Sequence, residues 1–309
     1  MKILSMSSFV PEHICDTIRF TQYHGDRNIS HYCGYASDFI SEVMNDDEID
    51  GAVYPRSCDS SRGISSYLEN TGKFLYQMHV PMGEDLEFYA FSIQRYKEAV
   101  EAHYGISINN IKDRTILLNK RNSQIRKLYE QVGEISFADY LEGIHKMLRT
   151  PLEEQQVEDG LAKAKGGKPI FLVGSFLSNI DIVRKIENSG LRVVGDTLTE
   201  SGRLASMKET EVDGDIYCNI AKSIYSGKLS PSQNNFKKII ESDMDEIHRK
   251  EAAGVLFVTQ KYCEPYDYLI SLYESHLDAL GIPSTRITLT DTEDTRKVDL
   301  ILEAFEGMI

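Results

Sequence analysis

Apolar and polar positions follow two rhythms along this chain, and the rhythm changes twice. Near the N-terminus, short apolar runs read as strands: Lys2-Ile-Leu-Ser-Met, Asp50-Gly-Ala-Val-Tyr-Pro and Lys73-Phe-Leu-Tyr-Gln-Met-His-Val. Between them the apolar spacing lengthens to three or four. Val10, Ile14 and Ile18 predict a helix opened by Pro11, Phe39, Ile40 and Val43 predict one after Gly34, and Ile64, Tyr67 and Leu68 predict a third. From 84 to about 165 no strand pattern is present, and three helices are expected over 84–104, 108–132 and 137–147. Arg121, Arg126 and Lys127 within them read as solvated helix faces.

The alternation returns after Gly166-Gly167. Strands are expected at 168–175 and 191–196, from Val255 into Cys263, and at 284–289, with helices at 179–188, 215–225, 236–250, 266–280 and 296–307. Strands alternating with helices of this length predict parallel sheets. The fold class is therefore α/β with parallel sheets, and the two ends read as two α/β units joined by a helical segment. The expected divisions are 1–83 for the first α/β domain, 84–165 for the helical connection and 166–309 for the second α/β domain.

Composition narrows the chemistry. With 34 basic against 48 acidic residues the formal charge is -14, so there is no basic excess to neutralise phosphates, and nucleic acid and anionic membrane are not expected partners. The opening apolar run is interrupted by Pro11 and Glu12, and no apolar stretch reaches transmembrane length. A cytoplasmic location is the expectation. Five cysteines, an odd number spread from 15 to 263, fit reduced thiols or metal ligands better than a disulfide framework. There is no Cys-x-x-Cys, His-Glu-x-x-His, Gly-x-Gly-x-x-Gly after a strand, or Walker-type phosphate loop. Gly174-Ser175 does follow a strand, but an ordinary strand-to-helix turn is the plainer reading.

Three of the cysteines share a setting. Cys33 precedes a helix, whereas Cys58 and Cys263 each follow an apolar strand and precede one. Free backbone amides at a helix start favour thiolate over thiol, and thiolates bind soft metals. Separations of 25 and 205 residues suit two α/β units facing each other across a cleft and do not suit a local knuckle. Three thiolates are able to hold zinc with one open position or three irons of a [4Fe-4S] cluster, and unrelated structural cysteines are an equal alternative. Cys15 and Cys218, beside apolar helix positions, read as core residues. His31 reads as a loop histidine more readily than as a further ligand.

These residues resemble the 2-hydroxyacyl-CoA dehydratase family, which includes the cluster-bearing subunits of benzoyl-CoA reductase. The resemblance runs through Pro11-Glu12, Cys33, Asp50-Gly-Ala-Val, Ser57-Cys58-Asp59-Ser60-Ser61-Arg62 and Asn119-Lys-Arg-Asn122. It continues through Leu172-Val-Gly-Ser175, Val193-Val-Gly-Asp196, Lys261-Tyr-Cys263-Glu-Pro-Tyr and Glu303-Ala-Phe-Glu306. It implies that the two units are Rossmann-like domains with the site in the cleft between them. It also implies a [4Fe-4S] cluster on Cys33, Cys58 and Cys263, a homologous second subunit or a homodimer, and an ATP-dependent iron-sulfur activator protein as electron donor. The implied reaction is radical dehydration of a 2-hydroxyacyl-CoA, through a ketyl radical, by an anaerobic lyase. Ser57 and Ser60 are candidates to hydrogen-bond cluster sulfur, and Asp59 and Arg62 to support their loop or simply form a surface pair.

The segment Asp196-Thr-Leu-Thr-Glu-Ser-Gly replaces the family's usual acidic pair followed by leucine and cysteine, and Asp294-Thr295 replaces a Gly-Gln element. These departures bear on the acyl-CoA substrate. Two other roles stand beside the dehydratase: a homomeric reductase of small molecules with a double-cubane cluster, and a non-catalytic partner subunit. The sequence assigns no general base; Glu12 and Glu264 are candidates by location alone.

Overall fold

A computed structural model describes residues 1–20, 32–156, 160–233, 235–289 and 295–309. His31 and Asp294 lie outside the described residues, as does the polar segment that leads into Cys33. In chain order the strands and helices are β1 (Ile3–Ser5), β2 (Thr17–Arg19), α1 (Gly34–Asn45), β3 (Gly51–Pro55), α2 (Asp59–Leu68) and β4 (Phe74–Met78). The middle of the chain forms α3 (Leu86–Tyr104), α4 (Ile111–Tyr129) and α5 (Phe137–Leu148). Then come β5 (Lys168–Gly174), α6 (Ile180–Asn188), β6 (Leu191–Asp196), α7 (Gly202–Ser206), α8 (Ile216–Tyr225) and α9 (Phe236–Arg249). The last elements are β7 (Gly254–Gln260), α10 (Glu264–Leu280), β8 (Ser284–Leu289) and α11 (Thr295–Met308).

The strands form two four-stranded sheets, every pairing parallel, in the orders β2-β1-β3-β4 and β6-β5-β7-β8. The α/β fold read from the sequence is therefore present, and both sheets have the same strand order. In such a sheet the order reverses between the first and third strands, and ligands bind outside the carboxyl ends there. Cys58 follows the third strand of the first sheet and Cys263 the third strand of the second.

The apolar faces sort into cores that cross the chain's sequence divisions. Phe74, Tyr89, Ile93 and Tyr96 pack with Ile220, Ala221 and Ile224, so α8, from the second half, covers the first sheet together with α3. Phe137, Leu141 and Ile144 of α5 pack on the second sheet beside Ile170, Leu172 and Leu256. Helix α4 joins the two cores: Ile111 belongs to the first, Ile125 and Leu128 to the second.

Two expectations are corrected. The segment from Pro11 is a turn leading into β2, and no helix forms there. Val10 and Ile14 are buried as a helix face would be, but Glu12 and His13 between them are buried too, which an amphipathic helix does not do. The second correction follows from the first. Arg121 is not solvated: its guanidinium donates to both carboxylate oxygens of Glu12, at 2.6 and 3.1 Å, and Arg19 pairs with the same carboxylate. Arg114 donates to the Glu12 carbonyl at 2.9 Å and to Asp16 at 2.7 Å. Arg126 is partly exposed and pairs with Glu209.

Burial alone would raise the Glu12 pKa, but the Arg121 and Arg19 guanidinium groups outweigh it and hold the carboxyl at about 2, below its ordinary 4.5. Removing one partner of a buried ion pair typically costs about 3–5 kcal/mol. Glu12→Gln is accordingly expected to destabilise the fold by about that much at pH 7 in urea unfolding. Because the folded pKa is depressed, the wild-type advantage is full above pH 4.5 and disappears as the pH falls toward 2. A difference that stays constant down to pH 2 would overturn this account.

Candidate functional site

Each of the three cysteines is the residue before a helix. Cys33 caps α1, Cys58 caps α2 and Cys263 caps α10. Their loops are fixed by local hydrogen bonds. The Ser61 hydroxyl accepts from the Ser57 and Cys58 amides at 3.2 and 3.1 Å and donates to the Cys58 carbonyl at 2.9 Å. The Ser60 hydroxyl accepts from the Cys33 amide at 3.3 Å, which ties the Cys33 loop to the helix that Cys58 opens. At the third position the Cys263 amide donates to the Gln260 carbonyl at 3.2 Å, and Pro265 starts α10. Tyr262 just before it adopts a left-handed backbone with φ 65°, uncommon for a bulky residue and the mark of a loop constrained by its surroundings.

The structure brings the three sulfurs to one place. Cys33, Cys58 and Cys263 all line an outer cavity of about 630 Å³ and also an inner one of about 110 Å³. Residues at the carboxyl ends of both sheets close the inner cavity: Ser7 after β1, Ser57 after β3, Ser175 after β5 and Gln260 at the end of β7. Phe176 and Tyr35, from the two halves, line it with their rings 4.3 Å apart, and Phe176 stacks on His145. Gly174 is required for this packing, since a β-carbon there would stand 2.5 Å from the Val258 carbonyl oxygen. Its neighbour Ser175 lies in the turn expected from the sequence, and no anion-binding geometry is needed to explain the glycine.

The remaining sequence candidates separate. Cys15 is buried beside the Tyr96 hydroxyl at 3.3 Å, and burial pushes its thiol up to about 11; Cys218 lies on α8 against the first core. Neither lines the cavities. Ser57 lines the inner cavity and Ser60 the outer one. Asp59 and Arg62 form an exposed pair at 3.3 Å, worth little to the loop. Glu12 is consumed by its arginines and is away from both cavities, so it is not a base for this site, whereas Glu264 lines the outer cavity. Among the described residues no three His, Cys, Asp or Glu side chains are grouped so as to hold a single metal ion.

Ser8 and Arg203 line the inner cavity without having been singled out in the sequence. Ser8 was reachable in principle, because it follows the first strand of a parallel sheet. Arg203 lies after β6 in a segment with no motif, on a short helix the apolar spacing did not reveal.

A parallel α/β protein with one site shared by two sheets, rich in thiols, is the class that fold and cavity define. The chain belongs to the family described as 2-hydroxyglutaryl-CoA dehydratase, D-component, whose model matches residues 9–309. No curated protein matches it. Two solved structures align over nearly the whole chain. One is a GDP complex of SsGBP, with 12% identity, 99% and 98% of the two chains covered and a TM-score of 0.27. The other is a GTP-binding protein from the hyperthermophilic archaeon Sulfolobus solfataricus with GDP, with 13% identity, 99% of each chain covered and a TM-score of 0.26. Superpositions that loose carry no argument about fold or ligand.

Electrostatics at Cys263 run against the simple helix-start expectation. Burial raises its thiol well above the ordinary 9, and negative charge on Cys33 and Cys58 raises it further. In iron-free protein, alkylation of Cys263 is expected to remain slow at pH 8 and to increase only above pH 9. Replacing Cys33 and Cys58 with serine should move that onset lower, as read by peptide mass spectrometry. An unchanged onset would show that the three sulfurs do not sense one another.

Proposed function

We propose that this chain is an iron-sulfur subunit of a 2-hydroxyacyl-CoA dehydratase-like lyase, with Cys33, Cys58 and Cys263 as the protein ligands of a [4Fe-4S] cluster. The observation that carries the reading is that these three thiols, from loops of both sheets, line the same two cavities. The donor set fits the group. On one tetrahedral ion, sulfurs at about 2.3 Å from the metal lie only about 3.8 Å apart. Three cysteines are the soft thiolate donors that would hold an iron-sulfur cluster, one thiolate to each of three irons.

When bound, a cluster with three protein ligands supplies one-electron transfer and an open Lewis-acidic iron. The chain's own residues prepare that setting. Cys15 and Cys218 are held away, so no fourth cysteine closes the open position. Ser60 fixes Cys33 relative to Cys58, and the Ser57 hydroxyl is at the cavity wall. Phe176 and Tyr35 give this side of the cavity an aromatic wall. The outer cavity, of ligand-binding size, suits the thioester and its carrier, and Asp59, Glu264 and Asp267 place carboxylates at its wall. The family's description as a D-component supports a second subunit as partner, and an ATP-dependent activator is the proposed electron source.

Anaerobically purified protein is expected to hold about four iron atoms per chain with matching acid-labile sulfide. Cys58→Ala and Cys263→Ala are each expected to lose most of both, along with dehydratase activity. Full iron content in either variant would remove the ligand assignment.

A further inference from the structure

Among the described residues, two that are not glycine have a positive φ, Glu251 and Tyr262. Glu251 lies just past the end of α9, where helices commonly finish with a left-handed residue. Tyr262 has no such reason. It stands between β7 and α10, in the link that delivers Cys263. The corresponding link of the first sheet supplies the comparison. Strand β3 ends at Pro55 and β7 at Gln260, and in each case two residues separate the strand from the cysteine that caps the next helix. The first of the two is tied to the neighbouring strand in both: the Arg56 amide donates to the Met78 carbonyl at 2.7 Å and the Lys261 amide to the Leu289 carbonyl at 2.9 Å. Yet Ser57, the counterpart of Tyr262, is not left-handed. The length of the link therefore does not impose the conformation.

The difference lies in where the cysteine amide finds its acceptor. In the first link the Ser61 hydroxyl, three residues on, accepts from the Cys58 amide at 3.1 Å. The same position in the second link is Tyr266, whose hydroxyl donates to the distant Gly174 carbonyl at 2.7 Å. The Cys263 amide instead donates back to the Gln260 carbonyl at 3.2 Å and closes a tight turn over 260–263. A positive φ at the third residue alone is the pattern of a type II turn, which favours glycine there. A bulky residue at that place carries a steric cost, so its side chain must contribute something that glycine lacks. The Tyr262 ring is at the wall of the outer cavity, and the Lys261 ammonium lies 4.7 Å from the ring centre. This cation-π contact joins the two central residues of the turn.

We infer that Tyr262 is a positioning residue for Cys263: its left-handed turn directs the Cys263 thiol toward Cys33 and Cys58, and its ring, held by the Lys261 ammonium, keeps the turn closed. Glycine would form the turn without a ring to hold it, and a β-branched residue would resist forming it. The placement of the thiol stands on the fold alone; that a cluster is what the thiols hold rests on the function proposed above.

Phenylarsine oxide reads the placement without iron, because its arsenic bonds two neighbouring thiols and releases one water, with no change of oxidation state. Full-length, reduced, iron-free protein is expected to give a bridge between Cys33 and Cys263, which pack in a common apolar cluster, detected as linked peptides by mass spectrometry. Tyr262→Phe is expected to bridge at the wild-type rate, Tyr262→Gly several-fold more slowly and Tyr262→Val at least about tenfold more slowly, with thermal melts confirming that each variant is folded. In anaerobically loaded protein the electron paramagnetic resonance spectrum of the reduced cluster should be unchanged in Tyr262→Phe and shifted in Tyr262→Gly. A wild-type protein that gives no bridge, wild-type rates in both Tyr262→Gly and Tyr262→Val, or an equal slowing in Tyr262→Phe overturns the inference. Should Tyr262→Val fail to fold, Tyr262→Gly decides it alone, since glycine takes a positive φ freely. Wild-type protein that holds no iron but shows this dependence of bridging on Tyr262 would count against the cluster and leave the positioning role standing.

Discussion

The site depends on a buried ion cluster that locks helix α4 against the edge of the first sheet. Glu12, in the turn between β1 and β2, is gripped by Arg121 of α4 and by Arg19 of β2, while Arg114 of α4 holds the Glu12 carbonyl. The other end of α4 is packed into the second core through Ile125 and Leu128. One rigid helix therefore sets how the two sheets face each other. Cys263 can meet Cys33 and Cys58 only if that orientation is right, and Cys33 and Cys263 do pack in a common apolar cluster. Hydrophobic contact is non-directional and would tolerate sliding between the halves. A bidentate guanidinium-carboxylate pair does not, because its hydrogen bonds have fixed geometry.

Legibility in the sequence followed how local the cause was. Strand β8 and helices α6 and α10 are fixed by their own apolar spacing and by neighbouring turn residues, and they lie where that spacing puts them. The settings of Cys58 and Cys263 were equally local, an apolar run followed by helix-start residues. The segment 11–16 misled because Val10, Ile14 and Ile18 mimic a helical repeat, although a parallel crossover there is made by a turn with a charged, buried tip. Arg121 could not be recognised as buried, since its partner is 109 residues away. Arg203 was invisible for the same reason: the cavity that it lines is assembled from the ends of both sheets.

The shared strand order shows what is duplicated in the site and what is not. Cys58 and Cys263 occupy the same topological position, after the third strand of each sheet and at the head of the following helix. Cys33 has no such counterpart. It caps the helix that precedes the third strand of the first sheet, and the corresponding helix of the second, α9, is capped by Asn235. Two facing copies of one motif would by themselves give an even set of thiols. Asn235 stands at the corresponding helix start, so the two halves do not carry matching sets of thiols.

That asymmetry matters because the polar groups of the inner cavity are as uneven as its thiols. Arg203 comes only from the second half, while Ser8 comes from the first. A cavity lined among the described residues by Arg203, several hydroxyls and three cysteines differs from one side to the other. Burial and the neighbouring Cys33 and Cys58 raise the Cys263 thiol well above its ordinary range. Loading any metal on them must release protons, which makes assembly pH-dependent. The raised Cys263 pKa therefore means that a set of thiolate ligands would form only as a cation displaced its proton.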